Sequence, residues 1–261
     1  MSKTKVNNVE LAYDDVGSGP AIVLIHGYPF NRTMWDEQVA ALRDNYRVIR
    51  LDLRGHGESE SSEGPATMNL MAQDITSLLD QLDIGRAVIG GLSMGGYVTL
   101  AFHRLFPARV EKLLLADTRA QADTEENKKV RGEQAQKILA EGMGGIADMM
   151  LPKLLAPETV SKRPEVVKRV RTMMLQTKPE GAASALRGMA GREDQTERLS
   201  EIKVPTLILV GRDDAITPVA DSEMMHAAIA GSRFLVIENA GHVSNIEQPE
   251  QFNKALIDFL R

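Results

Sequence analysis

The chain reads as an α/β domain: a mostly parallel central sheet with helices on both faces, interrupted by one helical insertion. Three observations predict this. Short, continuously apolar runs such as "AIVLI" recur along the chain, as strands buried on both faces do. Segments with helical spacing of apolar residues alternate with them, and strands alternating with helices imply a parallel sheet with crossover helices. Between roughly Arg119 and Arg198 the strand-like runs stop altogether.

From the N-terminus, "NNVELAYDDVGSGP" alternates apolar and polar residues around Val9, Leu11 and Tyr13, then breaks at Gly17 to Pro20, as a strand entering a tight turn would. The runs "AIVLIHG", "YRVIRLDL", "RAVIGG" and "VEKLLLAD" are further strands. Between them, "MNLMAQDITSLLDQL" repeats Met68, Met71, Ile75, Leu78, Leu79 and Leu82 at the spacing of an amphipathic helix. Late in the chain "TLILVG", a segment around Met224 to Ile229, "RFLVIENA" and "PEQFNKALIDFL" continue the alternation. Residues 1–118 and 199–261 therefore form the core. Residues 119–198 form the insertion, a helical cap broken by "EGMGG", "LPKLLAP" and "KRPE". Six of the 13 methionines fall there: Met143, Met149, Met150, Met173, Met174 and Met189. They serve either as ordinary core or as the lining of an adaptable apolar pocket, since the unbranched thioether fills irregular space.

Composition narrows the function classes. Hydrophobic residues at 43% and charged residues at 26% are those of an ordinary globular enzyme. A net charge of −5 with the signs interspersed provides no basic field for a phosphate backbone, so nucleic acid is not an expected partner. Zero cysteines exclude disulfides, thiolate metal sites and cysteine nucleophiles, and suit a reducing compartment. With no apolar run of membrane-spanning length and no apolar leader-like segment, the reading is a cytoplasmic protein without a membrane association.

The stretch "VIGGLSMGGYVTL" carries the chemistry. Gly91-Leu92-Ser93-Met94-Gly95 fits G-x-S-x-G, a strand enters it and a helix leaves it. That context is what a nucleophile elbow requires, a strained turn that lifts a serine above the sheet edge. A serine hydroxyl needs a histidine to take its proton and a carboxylate to hold that histidine. Of the five histidines only His242, in "NAGHVSNIEQPEQF", lies in a glycine-flanked loop after a late strand. His103 and His226 fall within helices as surface or packing residues, and His26 and His56 abut glycine turns as loop-holding residues. For the acid, "LILVGRDDAITP" offers Asp214, favoured by its spacing from Gly211. Asp213 and Asp117 are the alternatives. The oxyanion donors are the backbone N–H groups of Met94 and of Tyr28, in "HGYP" after the strand "AIVLI". Pro29 has no amide to offer. Pro29, Phe30, Met143, Met149 and Met150 are the candidate pocket residues.

"HGYP", "DLRGHGES", "GLSMGG", "GRDDAITP" and "AGHVSNIEQPEQF", in this order, resemble the α/β-hydrolase family over nearly the whole chain. The resemblance is to cofactor-independent 3-oxoadipate enol-lactonases, carboxylesterases and cofactor-free haloperoxidases, with a cap after the sixth core strand. It implies Ser93 as nucleophile, Asp214 as acid and His242 as base, and "DLRGHGES" as a structural turn beside the site. A serine at the elbow departs from dehalogenases and epoxide hydrolases, which use a carboxylate nucleophile. The expected activity is hydrolysis of a small-molecule carboxylic ester or lactone, with no metal or organic cofactor. Perhydrolysis, C–C bond hydrolysis and thioester hydrolysis share the same triad. From a different class, a ligand-binding signalling protein on this fold would use it for slow turnover.

Overall fold

The computed structural model describes residues 1–261. Eight strands form one sheet: β1 (Ser2–Val6), β2 (Val9–Val16), β3 (Ala21–Ile25), β4 (Arg47–Leu51), β5 (Ala87–Leu92), β6 (Val110–Ala116), β7 (Thr206–Gly211) and β8 (Arg233–Ile237). Their spatial order is β1-β2-β4-β3-β5-β6-β7-β8. β1 and β2 pair antiparallel, as do β2 and β4, and every other pairing is parallel. The central strands β3, β5 and β7 are buried along their whole length, which is why they read as unbroken apolar runs.

Alternate residues of β3, β5 and β6 enter two separate cores. Val23, Ile25, Ile89, Leu113 and Leu115 pack against α2 (Met68–Gln81) and α3 (Met94–Leu105). Ile22, Leu24, Val88, Leu92 and Leu114 pack on the opposite face against α1 (Asp36–Leu42) and α11 (Pro249–Leu260). The predicted helix at 68–82 is α2, and Thr67 caps it by accepting from the Leu70 amide at 3.1 Å. Met68, Met71, Ile75, Leu78 and Leu79 form its buried stripe. The late segment expected around Met224 to Ile229 is the end of a longer helix, α9 (Val219–Ala228).

The sequence reading passed over β1. Its residues are mostly exposed, so they carry no apolar stripe, and the turn to β2 is made by Asn7 and Asn8 at φ 41° and 66°. Two asparagines at positive φ build a tight hairpin turn whose twist suits the flanking strands.

Between β6 and β7 the chain forms five helices and no strand: α4 (Glu125–Glu141), α5 (Gly144–Leu154), α6 (Pro157–Lys162), α7 (Pro164–Leu175) and α8 (Pro179–Ala190). β6 and β7 nevertheless pair in continuous register from Leu113 with Thr206 to Ala116 with Leu209. The five-helix segment thus leaves and rejoins the core at neighbouring points. It rests on the core through backbone contact. A Cβ on Gly181 would lie 1.7 Å from the Gly55 carbonyl oxygen, and one on Gly188 would lie 1.8 Å from that of Ala66. No helix is long and apolar enough to cross a membrane.

Candidate active site

Ser93 sits between β5 and α3 at φ 56° and ψ −115°. A non-glycine residue in this region is strained and persists only where its surroundings hold it. Here its amide donates to the Ala116 carbonyl at 2.9 Å and its carbonyl accepts from the Thr118 hydroxyl at 2.8 Å. The adjacent glycines are needed for room. A Cβ on Gly91 would fall 2.2 Å from the Gly95 backbone, and one on Gly95 would fall 2.2 Å from the Ile25 carbonyl oxygen.

The Ser93 hydroxyl lies 2.8 Å from His242 Nε2, and His242 Nδ1 lies 2.8 Å from Asp214 Oδ2. His242 and Asp214 are buried, and Ser93 retains slight exposure. Asp214 stands just beyond the C-terminal end of β7, where open α/β sheets place their ligands. Its Oδ1 accepts from the amides of Ile216 at 2.8 Å and Thr217 at 2.9 Å, and its Oδ2 accepts from the Thr217 hydroxyl at 2.7 Å. Burial works to raise its pKa. The neighbouring imidazole and the Thr217 bonds prevail and hold the carboxyl below its usual range, as an anion.

The other two acid candidates are placed apart from this chain. Asp213 is exposed, with its amide on the Ala240 carbonyl. Asp117 is fully buried, accepting from the Gly211 amide at 2.8 Å and the Ser244 hydroxyl at 2.5 Å. Burial and the nearby charge of Asp214 push its pKa well up, so two anions are not forced together.

The turn after β3 passes beside the elbow. A Cβ on Gly27 would lie 3.1 Å from the Leu92 carbonyl oxygen and 3.4 Å from Ser93 Cβ, which brings the following amide, that of Tyr28, close to the serine. The Met94 amide is the first of α3, and such amides have no partner within their own helix. Both residues thus lie next to Ser93, Met94 at the positive end of the α3 dipole.

His26 fastens this turn. Its Nδ1 is 2.9 Å from the Gly27 carbonyl oxygen and its Nε2 accepts from the Leu53 amide at 2.9 Å. His56 lies against it with ring centroids 4.9 Å apart. Burial lowers their pKa values to about 4 and about 3, so both rings are neutral near pH 7. In "DLRGHGES", Asp52 accepts from the Arg32 and Glu58 amides and ion-pairs with the Arg32 guanidinium, which braces the turn. His103 lies in α3 and His226 in α9, the latter bonded to the Ser232 hydroxyl at 2.7 Å.

A cavity of about 310 Å³ opens beside Tyr28 and the Ala215–Ile216 turn, and α4, α5 and α8 complete its wall. Met149 and Met150 line it. The other three expected pocket residues do not. Phe30 is fully buried in the core beside Trp35, because its amide folds back onto the Gly27 carbonyl and turns the ring away. Met143 packs in the core on the α2/α3 side. Pro29 holds the five-helix segment instead, its carbonyl accepting from the Thr177 hydroxyl at 2.9 Å.

Composition alone did not reveal that the cavity is basic. Arg119, Arg131, Lys153 and Arg192 line it, against one lining carboxylate, Asp123. Asp123 pairs with both Arg131 and Arg192, and Arg192 also lies over the Tyr97 ring at 4.3 Å. Lys153 makes no ion pair. The signal was present as scattered single cations within the segment, far apart in sequence. The described residues contain no cluster of acidic and histidine side chains suited to a metal ion.

Comparison with known proteins agrees with this architecture. The family model of the alpha/beta hydrolase fold matches residues 20–249. A 3-oxoadipate enol-lactonase of Acinetobacter baylyi is 34% identical over 253 residues, covering 95% of this chain and 92% of that protein. A thermophilic esterase from Thermogutta terrifontis, solved with malate bound, is 45% identical with a TM-score of 0.96, covering 99% of this chain and 96% of that one. The enol-lactonase from Burkholderia xenovorans is 35% identical with a TM-score of 0.93, covering 99% of each chain. With the motif order, the sheet topology and the matched span in agreement, the chain belongs to the alpha/beta hydrolase fold family.

Proposed function

We propose that the protein is a serine hydrolase of carboxylic esters or lactones. The unbroken hydrogen-bonded chain from Ser93 through His242 to Asp214, with 2.8 Å at each link, carries this reading. Ser93 Oγ attacks the carbonyl carbon as His242 Nε2 takes its proton, and Asp214 stabilises the resulting imidazolium. The negative charge on the carbonyl oxygen is met by the Tyr28 and Met94 amides; one such donor contributes about 3 kcal/mol in serine hydrolases. His242 then protonates the leaving alkoxide, the acyl-enzyme forms, and a water deprotonated by His242 releases the acid. The five-helix segment serves as a cap that supplies much of the substrate chamber.

The four cations lining the chamber, of which Arg119 pairs with Asp221, Arg131 and Arg192 share Asp123, and Lys153 makes no ion pair, support a substrate that bears an anionic group away from its scissile bond. The malate in the Thermogutta esterase structure is a dicarboxylate, and agrees with this preference.

Steady-state hydrolysis of p-nitrophenyl acetate, butyrate and hemisuccinate by the wild type and Ser93→Ala tests both points. Loss of nearly all turnover in the variant and a kcat/KM favouring the hemisuccinate over the butyrate are expected. Equal turnover by Ser93→Ala would overturn the mechanism, and a preference for the neutral butyrate would overturn the anionic substrate.

A further inference from the structure

One buried carboxylate outside the triad holds the catalytic loop. Glu247, in α10 (Ser244–Glu247), is 1% exposed, and both of its oxygens accept backbone bonds. Oε1 accepts from the amide of Gly241, the residue before His242, at 2.7 Å. Oε2 accepts from the amide of Ala156, in the turn between α5 and α6, at 2.9 Å. The same two stretches of chain meet directly. The His242 amide donates to the Leu154 carbonyl at 2.9 Å, and a Cβ on Gly241 would lie 2.7 Å from the Ala156 nitrogen. From the other side, the Arg163 guanidinium donates to the Glu247 carbonyl at 2.6 Å. An ionised carboxylate is the one side chain of this size that can accept from two amides at once with nothing left over to donate.

We propose that Glu247 is a positioning residue for His242, acting through the five-helix segment: its carboxylate clamps the loop before the imidazole to the Leu154–Ala156 turn. This rests on the serine-hydrolase reading above. The position of the catalytic base is then set by the inserted segment as much as by the core. A shift of about 1 Å in a catalytic group can cost on the order of 10² in rate.

The clamp can also be broken from its far side, at the donating amide. Ala156 has φ −58° and ψ 146°, and Leu155 before it has φ −115° and ψ 145°. Both suit the backbone of Ala156→Pro, whose ring Cδ would replace the donated hydrogen aimed at Glu247 Oε2 2.9 Å away, so that the carboxylate must move off the turn. Glu247→Gln removes the clamp from the other end, because its NH2 would face one of the two amides.

The test compares kcat and KM for one p-nitrophenyl ester, and the rate of Ser93 labelling by a fluorophosphonate, in wild type, Ala156→Pro, Glu247→Gln and the double variant, with Ser93→Ala as control. The expected result is kcat and labelling lowered about tenfold by Ala156→Pro and about 10² by Glu247→Gln, with KM within about twofold. The double variant should match Glu247→Gln, since both changes break one clamp. Wild-type kcat in folded Ala156→Pro, or a double variant equal to the product of the singles, overturns the proposal. If Glu247→Gln does not fold, Ala156→Pro alone decides. Should Ser93→Ala retain turnover, the serine-hydrolase reading fails instead, a result distinct from either of these.

Discussion

Lowering the pH from 7 to 5 should weaken the fold through two buried residues, His26 and His56. Both are fully buried, and burial holds their pKa values at about 4 and about 3 against 6.5 in the open chain. A base with a depressed folded pKa contributes stability that is complete above pH 6.5 and is lost as pH falls, because only the unfolded chain takes up the proton. At pH 5 both rings remain neutral in the fold. Each therefore forfeits about 2 kcal/mol, from 1.5 pH units at about 1.4 kcal/mol each, and the pair about 4 kcal/mol. For a chain of this size that amounts to roughly 10 °C in Tm. Asp117, whose pKa burial pushes well up, works in the opposite sense and offsets part of the loss. A variant isolates the histidine contribution. In His56→Asn the side-chain amide can replace the donation from Nδ1 to the Arg54 carbonyl, and it does not titrate. Urea unfolding at pH 7 and pH 5 should show the wild type losing about 2 kcal/mol more than His56→Asn between the two. An equal loss in both proteins would refute the argument that His56 is held neutral by burial.

Asp214→Asn keeps the shape of the acid but presents an amide to His242 Nδ1. The wrong imidazole tautomer should then lower kcat about 10⁴-fold with the fold intact, as measured on a p-nitrophenyl ester beside a circular-dichroism melt. Gly188→Ala drives a methyl into the Ala66 carbonyl at the seam between α8 and the core. It should destabilise by about 1–3 kcal/mol. Gly191→Ala, whose nearest neighbour would be 3.8 Å away, should stay within about 0.5 kcal/mol of wild type.

The sheet and the Ser93 elbow were legible because each is written in consecutive residues. Buried parallel strands appear as unbroken apolar runs, and the elbow needs its glycines within a few positions of the serine. His242 and Asp214 could be found because glycine-flanked loops and strand ends mark them. The chamber was much less legible. Met149 and Met150 line the cavity, whereas Phe30 and Met143 are as apolar and face the core, and periodicity cannot tell a wall from a filling. Arg119, Arg131, Lys153 and Arg192 converge only after four separate segments pack together. The Glu247 clamp was invisible for the same reason: it joins a side chain near the C-terminus to an amide 91 positions earlier.

The continuous pairing of β6 with β7 has an evolutionary consequence. Strand register across the insertion is held by the pairing of Leu113–Ala116 with Thr206–Leu209 and by β5 and β8 on either side, so the length and sequence of what lies between can drift without misaligning the sheet. Selection can then act on the inserted segment and on scaffold integrity as separate traits. Exceptions include Leu154, Ala156, Gly181 and Gly188, where a transplanted segment would have to reproduce the original backbone, and Thr177, whose hydroxyl it would have to keep. A lineage carrying this fold can therefore change α4 far more readily than the turn that touches the His242 loop.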